Sequence, residues 1–381
     1  MHRQVLLLAF LITACAAAAQ AQWELEDSHT TADLRGIDNV GGGVAWASGS
    51  NGTVLRTEDG GYLWQACTIP PGAEHLDFRG IQAFDANTAI VMSSGKGDLS
   101  RLYKTKDGCH KWKLILRNPD TDGSWEAFHF EQHWLGALIG DPVKGRFVVF
   151  TSEDRGRTWL RLRNKGLETQ PENQSANAPS NSSVTSGYGA SEFATGGTQG
   201  SFVYSMLPTE VCVDDCSDED LIETRQRAIW TREEVSIGSH TQSSGVFSLF
   251  ERSDPSSFGS KVTAKVAVGG DYLKPDDPRR TAAFTLDEGK TWTASTIPPH
   301  GFRSAVAYDA ATKTWITVDP NGTDISTDDG RTWRALHPDP ALHEPPDADR
   351  NWNALSLPFV VGPHGRIGKL RSSALAAAPK Q

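Results

Sequence analysis

The sequence lacks several features that would place it at once in a common class. It has 3 methionines and 5 cysteines among 381 residues. After its first residues, no segment reaches about 18 consecutive apolar residues, the length of a membrane-spanning helix. Lysine and arginine (37) are fewer than aspartate and glutamate (47), so the formal net charge is −10 and no nucleic-acid partner is predicted. No segment keeps an apolar period of 3.6 residues, so long amphipathic helices are not predicted either.

What the sequence has in abundance is glycine and tryptophan. There are 36 glycines and 12 tryptophans, and the hydrophobic class makes up 38% of the chain, enough to build a core rather than a disordered chain. Short runs of β-branched and aromatic residues alternate with glycine-containing turns. The composition therefore predicts an all-β protein.

Residues 1–21 have the pattern of an export signal. Arg3 precedes an apolar run from Val5 to Ile12, and the small residues up to Ala21 fit cleavage before Gln22. The residues just before Cys15 also fit a lipoprotein signal, in which Cys15 is lipidated, and both alternatives stay open. The protein is expected to be exported to the periplasm or the exterior, with peripheral membrane contact only if Cys15 is lipidated.

Without this leader, four cysteines remain. An even number of cysteines in an exported chain favours disulfides. Cys67 with Cys109 would join neighbouring repeats, and Cys212 with Cys216 would close a small local loop. The alternative is that some or all of the four thiols stay unpaired. A zinc site is not predicted, because two of the four lack close spacing.

One short turn motif recurs along the chain. Each copy has Ser or Thr two residues before an Asp, a Gly after it, and a Trp five residues beyond it. The Asp side chain can accept hydrogen bonds from the turn that follows, and the Trp can pack between sheets. The motif is interpreted as a hairpin staple without a catalytic role. The five copies contain Asp59 and Trp64, Asp107 and Trp112, Asp154 and Trp159, Asp287 and Trp292, and Asp328 and Trp333.

The spacing of the copies predicts the architecture. The first three copies, and the last two, follow one another at 41 to 48 residues, the length of one four-stranded propeller blade. The 133 residues from Asp154 to Asp287 must then hold at least one blade without the motif, plus an insertion. We predict a single seven-bladed β-propeller over residues 22–381, in which an N-terminal strand near Trp23 completes the last blade; eight blades are the alternative. The predicted blades begin near Leu34, Phe78, Trp125, Ser191, Val246, Phe302 and Trp352.

Two segments in the middle of the chain have unusual compositions. Residues 168–200 are rich in Ser, Asn and Gly and are predicted to form a long loop at blade four. Residues 208–224 contain seven acidic residues and two cysteines, and are interpreted as a solvated acidic loop because the spacing fits no known calcium loop. Neither a metal nor another cofactor is predicted.

Polar residues stand at the start of most predicted blades. Because equivalent positions in a ring converge, these side chains are expected at one rim of the central channel, where Arg can clamp a carboxylate or phosphate. The alternative is a ring of charges that satisfy one another around a wet channel. The six candidate rim residues are Arg35, Arg79, Glu126, Glu192, Arg303 and Asn353.

The stretch from Val44 to Gly61 carries a resemblance to a known family. It reads strand, Asn51-Gly52-Thr53, strand, Asp59-Gly60-Gly61. This order resembles the Asp-box (BNR) repeat, and most of all the photosystem II stability/assembly factors of the Ycf48/Hcf136 type. The resemblance implies a seven-bladed propeller and a non-enzymatic role in which an Arg-rich face binds an exported or membrane-bound protein partner. Arg35, Arg79 and Arg303 are the residues to which that role would transfer.

A glycan-acting enzyme is the alternative function. Sialidase-type propellers place three Arg on the substrate carboxylate, with a Tyr nucleophile activated by Glu. Arg35, Arg79 and Arg303, with Glu126 or Glu192, could supply part of this set, and the partner would then be a glycan. Phe302-Arg303-Ser304-Ala305 departs from the start motif of that family, and no Tyr stands near a blade start. The sequence therefore favours a non-catalytic binding scaffold.

Overall fold

The structure of the protein is a computed structural model. It describes residues 22–131, 134–163, 165–169, 174–177, 181–187, 190–207, 228–253, 262–340 and 343–375. The predicted leader, Cys15, and the acidic segment with Cys212 and Cys216 lie outside the described residues. Among the described residues, no helix has both the length and the apolar character needed to cross a membrane.

The chain forms seven antiparallel sheets, the blades. The strands of blade 1 are Leu34–Gly41, Val44–Gly49, Val54–Thr57 and Gln65–Ala66. Those of blade 2 are Phe78–Ala83, Ala89–Ser93, Arg101–Thr105 and Lys113–Arg117. Those of blade 3 are Trp125–Glu131, Leu135–Val143, Arg146–Ser152 and Leu160–Arg161. Those of blade 4 are Val184–Gly187, Ala190–Ala194, Ser201–Leu207 and Ile229–Val235. Those of blade 5 are Ser244–Ser253, Val262–Asp271, Ala282–Thr285 and Thr293–Ala294. Those of blade 6 are Ala305–Asp309, Thr314–Asp319, Gly322–Ser326 and Arg334–Leu336.

Blade 7 is built from both ends of the described chain. Its first three strands are Ala354–Ser356, Phe359–Val361 and Ile367–Leu370, and its fourth is Trp23–Glu26. Short strands at Gln174–Ser175 and Gly196–Gly197 extend the sheet of blade 5, and short 3-10 helices span Gly97–Leu99 and Ser372–Leu375.

The first strand of every blade packs against the first strands of the two neighbouring blades, including blade 7 against blade 1. The sheets therefore close into one ring, and the predicted single seven-bladed β-propeller is confirmed. Each sheet gains a cover on both faces because the buried clusters consist of side chains from adjacent blades, such as Leu34, Trp64 and Phe359 between blades 1 and 7.

The closing sheet explains why the N-terminal strand is needed. Trp23 pairs with Leu370 in antiparallel register, is 1% exposed, and packs against Trp352 with ring centroids 5.9 Å apart. Its indole N–H donates to the hydroxyl of Thr323 in blade 6, at 3.1 Å. The predicted pairing of the N-terminal strand with the last blade is confirmed.

The five copies of the turn motif share one hydrogen-bond pattern. In blade 6, the hydroxyl of Ser326 donates to Asp328 at 2.8 Å and accepts from the backbone N–H of Gly330 at 3.0 Å. The backbone N–H of Thr332 donates to the same carboxylate at 2.9 Å. The turns that contain Asp59, Asp107, Asp154 and Asp287 repeat these bonds. Every carboxylate of the motif is therefore occupied in bracing its own hairpin.

A disulfide joins Cys67 and Cys109, which are 42 residues apart. Cys67 follows the last strand of blade 1, and Cys109 lies in the repeated turn of blade 2. The predicted link between neighbouring repeats is confirmed for this pair. The suggested pairing of Cys212 with Cys216 falls outside the described residues.

Blade 4 begins earlier than predicted. Its first strand is Val184–Gly187, and Ser191 lies on the second strand. The prediction of a loop over residues 168–200 is also wrong for four short described stretches that form strands, Gln174–Ser175, Val184–Gly187, Ala190–Ala194 and Gly196–Gly197. Ser and Gly in this segment weaken the local strand pattern, but Val184 and Phe193 enter a shared core with Tyr204 and Trp230. Tertiary packing, rather than local preference, makes these strands.

Removing the Trp23 side chain is expected to weaken the whole ring. Trp23→Ala leaves a cavity between blades 6 and 7, so the free energy of unfolding should fall by about 3–5 kcal/mol in denaturant titrations. Tyr62→Ala is the matched control, because Tyr62 is 91% exposed, and should change stability by less than about 0.5 kcal/mol. Equal losses for the two variants would contradict the role assigned to the closing strand.

Candidate binding site at the channel mouth

Three of the predicted rim residues occupy the same structural position, a β-bulge at the start of a first strand. The register between the first and second strands shifts at Leu34/Gly36, at Phe78/Gly80 and at Trp125/Ala127. Arg35, Arg79 and Glu126 are the residues bypassed at these shifts. A bulge redirects the side chain of its extra residue, so these three half-buried side chains share one end of the channel. We call this end the channel mouth.

Glycine follows the arginine in two of these bulges because the blades approach each other closely there. A Cβ atom on Gly36 would lie 3.2 Å from the side chain of Ile81 in blade 2, and one on Gly80 would lie 2.9 Å from the ring of Phe128 in blade 3. The Arg-Gly pairs in the sequence therefore combine a redirected side chain with tight packing between blades.

A single carboxylate holds both arginines. One oxygen of Asp77 accepts from Nε of Arg35 at 2.8 Å, and the other accepts from Nε of Arg79 at 3.0 Å. Asp33 lies 3.8 Å from Nη2 of Arg35. The two arginine side chains are about one-third exposed (32% and 38%). Asp77 thus orients the two groups through Nε and leaves the Nη donors of Arg79 for a ligand, with those of Arg35 paired weakly.

Two carboxyl groups share one hydroxyl next to these arginines. The hydroxyl oxygen of Ser124 lies 2.6 Å from Glu126 and 3.1 Å from Asp141. A serine hydroxyl has one proton to donate, so one of these contacts needs a proton from a carboxyl group. Burial, and then the charge of Asp141, raise the pKa of Glu126 to about 8. Burial also raises the pKa of Asp141. The channel mouth therefore holds a pair of carboxyl groups, Glu126 and Asp141, that share a proton next to the arginines.

Arg303 does not join this site. Its side chain is 0% exposed. Nε donates to Asp324 at 2.9 Å, Nη1 donates to the carbonyl of Phe302 at 2.6 Å and to Asn321, and Nη2 contacts both Asp324 and His300. The expectation that three arginines share the rim is wrong for Arg303, because its five donors are used inside blade 6 and its loops.

Glu192 and Asn353 connect blades instead of facing a ligand. Glu192 lies on the second strand of blade 4, where it accepts from Ser205 at 2.9 Å and from Lys265 of blade 5 at 2.6 Å. The side chain of Asn353 donates to the carbonyl of Leu34 at 2.7 Å, which ties blade 7 to blade 1. Both are therefore structural contacts between neighbouring sheets.

Two residues at this end of the channel were not identified from the sequence. Asp77 was overlooked because it precedes the strand, whereas the rim pattern begins inside it. Phe247 is the bulge residue of blade 5, between Val246 and Ser248, and it packs edge-on against Phe302 at 4.8 Å. Phe247 has the position expected of a rim residue, but the sequence analysis looked for polar side chains and Phe247 is apolar.

The site can bind an anion but has no assembled metal centre. Within the described ranges, no three His, Cys, Asp or Glu side chains come together as metal ligands would. Two neighbouring guanidinium groups, with the Nη donors of Arg79 unbonded among the described residues, are suited to a carboxylate or a phosphate. The neighbouring Glu126 would admit such an anion most easily when it is protonated.

Comparisons with known proteins agree on the fold. No family model matches the chain, and no curated protein matches it by sequence. A solved structure described as "YCF48 bound to D1 peptide" matches with a TM-score of 0.57 at 17% identity, covering 92% of this chain and 97% of that one. The structure of Ycf48 from Cyanidioschyzon merolae matches with a TM-score of 0.56 at 16% identity, covering 92% and 99%. The propeller implied by the resemblance in the sequence is therefore confirmed as the shared fold.

The raised pKa of Glu126 predicts a specific pH dependence of stability. In the unfolded chain Glu126 ionises with its ordinary pKa of 4.5, whereas in the folded protein it keeps its proton up to about pH 8. The contribution of the protonated Glu126 to the free energy of unfolding is therefore complete below pH 4.5 and is lost as the pH rises towards 8. Glu126→Gln cannot ionise, so its melting temperature should rise relative to that of the wild type between about pH 5 and pH 8. Glu233→Gln, on the exposed outer strand of blade 4, is the control and should follow the wild type. A constant difference for Glu126→Gln across the range would refute the assignment.

Arg303 should behave as a buried structural group. Arg303→Met leaves the carboxylate of Asp324 buried without its cation, so the free energy of unfolding should fall by about 3–5 kcal/mol. Arg334→Met, at an exposed position of the same blade, should cost less than about 0.5 kcal/mol. Chemical denaturation of both variants measures the difference, and similar values would show that Arg303 is not a structural centre of blade 6.

Proposed function

We propose that this protein is an exported, non-catalytic β-propeller that binds a protein partner at the channel mouth, in the manner of an assembly or stability factor. The observation that carries the proposal is the pair of arginines oriented by Asp77. An acidic group of the partner, a side-chain carboxylate or a chain end, would bind between the Nη donors of Arg35 and Arg79.

The comparison with Ycf48 supports a protein as the ligand. One of the two matching structures is described as bound to a D1 peptide, so this fold can bind a peptide. At 17% identity the partner does not transfer with the fold. The proposal for this chain is a protein partner recognised by its acidic groups.

The surroundings of the arginines support a binding role over a sialidase-like one. Arg303 is used inside blade 6 and does not join Arg35 and Arg79 as a third arginine. Among the described residues, the buried tyrosines are Tyr103, which donates to the carbonyl of Pro71, and Tyr204, which contacts Gln174 and Arg232. Neither forms a Tyr–Glu pair beneath the arginines.

Export is supported by the pattern of residues 1–21 and by the disulfide. Disulfides persist in oxidising compartments outside the cytosol, and Cys67–Cys109 joins two blades of the ring. We propose a periplasmic or extracellular location, where the partner is exported or membrane-bound. Lipidation of Cys15 would add an anchor on the N-terminal side of the closing strand.

Charge reversal at the mouth tests the proposed function. The protein is immobilised, incubated with an envelope extract of its host, cross-linked, and the captured proteins are identified and quantified. Arg35→Glu combined with Arg79→Glu should reduce capture of the specific partner at least about tenfold, because two attractive contacts become repulsive. The matched control combines Arg163→Glu with Arg334→Glu, two exposed arginines outside the mouth, and should retain the partner.

Two outcomes would count against the proposal. Equal capture by the mouth variant and the control would contradict the assignment of Arg35 and Arg79. Hydrolysis of a fluorogenic sialoside by the wild type, abolished by Arg35→Glu with Arg79→Glu, would replace the scaffold role with the enzymatic alternative.

A further inference from the structure

A second concave site lies between blades 2 and 3. Its volume is about 370 Å³, and it is lined by residues from the repeated turns, including Lys106 and Lys111 of blade 2 and Arg157 of blade 3. Successive strands of a blade are antiparallel, so the turn between the third and fourth strands lies at the opposite end from the start of the first strand. This basic groove therefore opens on the face opposite to the channel mouth, and a role for it does not depend on the function proposed for the mouth.

Positive charge dominates the basic groove. Lys104 and Lys113 add to the three cations already named, and the carboxylate lining the groove is Asp107. Arg157 is paired with Asp154 at 3.5 Å, so the unpaired charge comes from the lysines. Asp107 is engaged in its own turn, where it accepts from the hydroxyl of Thr105 and from the backbone N–H of Lys111, both at 3.0 Å. Among the described residues, no ion pair neutralises Lys106, Lys111 or Lys113. Such a local excess of cations, on a chain of net charge −10, selects an anionic ligand.

Lys104 lies deep in the groove. It is 9% exposed, its ammonium donates to the backbone carbonyl of Arg155, and it lies 5.2 Å from the centroid of the Phe84 ring. Burial, followed by the charge of Lys106, lowers the pKa of Lys104 to about 8. An anion that entered the groove would stabilise the charged form of this lysine.

The groove also contains apolar surface. Half-buried Ile115 lines the groove beside the lysines, together with the small part of Trp112 that is exposed, 8% of the residue. Trp112 is held in place because its indole N–H donates to the carbonyl of Thr68 at 2.9 Å. A flat membrane surface would contact the exposed Lys106 and Lys113 but would not reach Lys104. An extended chain that lies in the groove can reach all three lysines and also place an apolar side chain against Trp112.

We propose that the basic groove between blades 2 and 3 is a second protein-binding site, which takes an acidic peptide segment that contains an apolar side chain. The acidic side chains bind Lys104, Lys106 and Lys113, and the apolar side chain packs against Trp112 and Ile115. The protein then has two binding faces, one at the channel mouth and one on the side of the repeated turns.

The direct test uses a fluorescein-labelled peptide of glutamates around a central leucine, measured by fluorescence anisotropy at low salt against the full protein. Lys106→Glu combined with Lys113→Glu should weaken binding at least about tenfold. The matched control combines Lys290→Glu with Lys313→Glu, exposed lysines of blades 5 and 6 on the same face. It makes the same change in net charge and should stay within about twofold of the wild type. Arg35→Glu with Arg79→Glu should leave this binding unchanged, which separates the groove from the channel mouth.

Further measurements distinguish an acidic peptide from other anionic ligands. A peptide with glutamine in place of glutamate should not bind, and inorganic phosphate at matched ionic strength should not displace the acidic peptide. Absence of saturable binding to the wild type, or equal weakening in the control, would overturn the proposal. So would displacement by phosphate, which indicates a simple anion site. Groove-dependent binding to phosphatidylglycerol vesicles without peptide binding would assign the groove to a membrane instead. Melting curves confirm that each variant is folded.

Discussion

The structure depends on the pairing of Trp23–Glu26 with Ile367–Leu370, which closes seven sheets into a ring. Each blade is a small sheet whose two faces must be covered, and only a neighbouring blade can cover them. Without the N-terminal strand, blade 7 would keep an open edge and blade 1 would lose part of its cover. Trp64 of blade 1 shows this dependence directly, since its indole N–H donates to Glu26 of the closing strand at 2.8 Å. Every site on the disc inherits its geometry from this closure.

The ring also divides the polar residues by function. On the side of the repeated turns, each Asp of the motif accepts bonds from its own hairpin, which leaves nearby cations such as Lys106 and Lys113 without a partner among the described residues. At the channel mouth, the bulges direct Arg35 and Arg79 to one place, where Asp77 orients them. In both cases a carboxylate that is already engaged leaves basic groups available to a ligand.

The fold was largely readable from the sequence because the repeated turn is a local device. Its hydroxyl, carboxylate, glycine and tryptophan act within a few residues, so their spacing reports the length of a blade. The start of blade 4 was missed because Val184 and Phe193 become strand residues through long-range packing with Tyr204 and Trp230, while the local composition favours a loop. The rim was only partly predictable. Position identified Arg35, Arg79 and Glu126, but Arg303 has the same position and is buried, because Asp324 on another strand of blade 6 pairs with it.

The closing pair also determines how the ring would respond to a pulling force on its ends. Trp23 is opposite Leu370, so the chain enters and leaves the sheet at the same end of this strand pair. Tension between the two ends would therefore load the pair in the unzipping geometry, in which its hydrogen bonds break one after another, and not in the shear geometry, in which they break together. The disulfide between blades 1 and 2 lies outside that line of force, so those two blades would stay joined after the ring had opened.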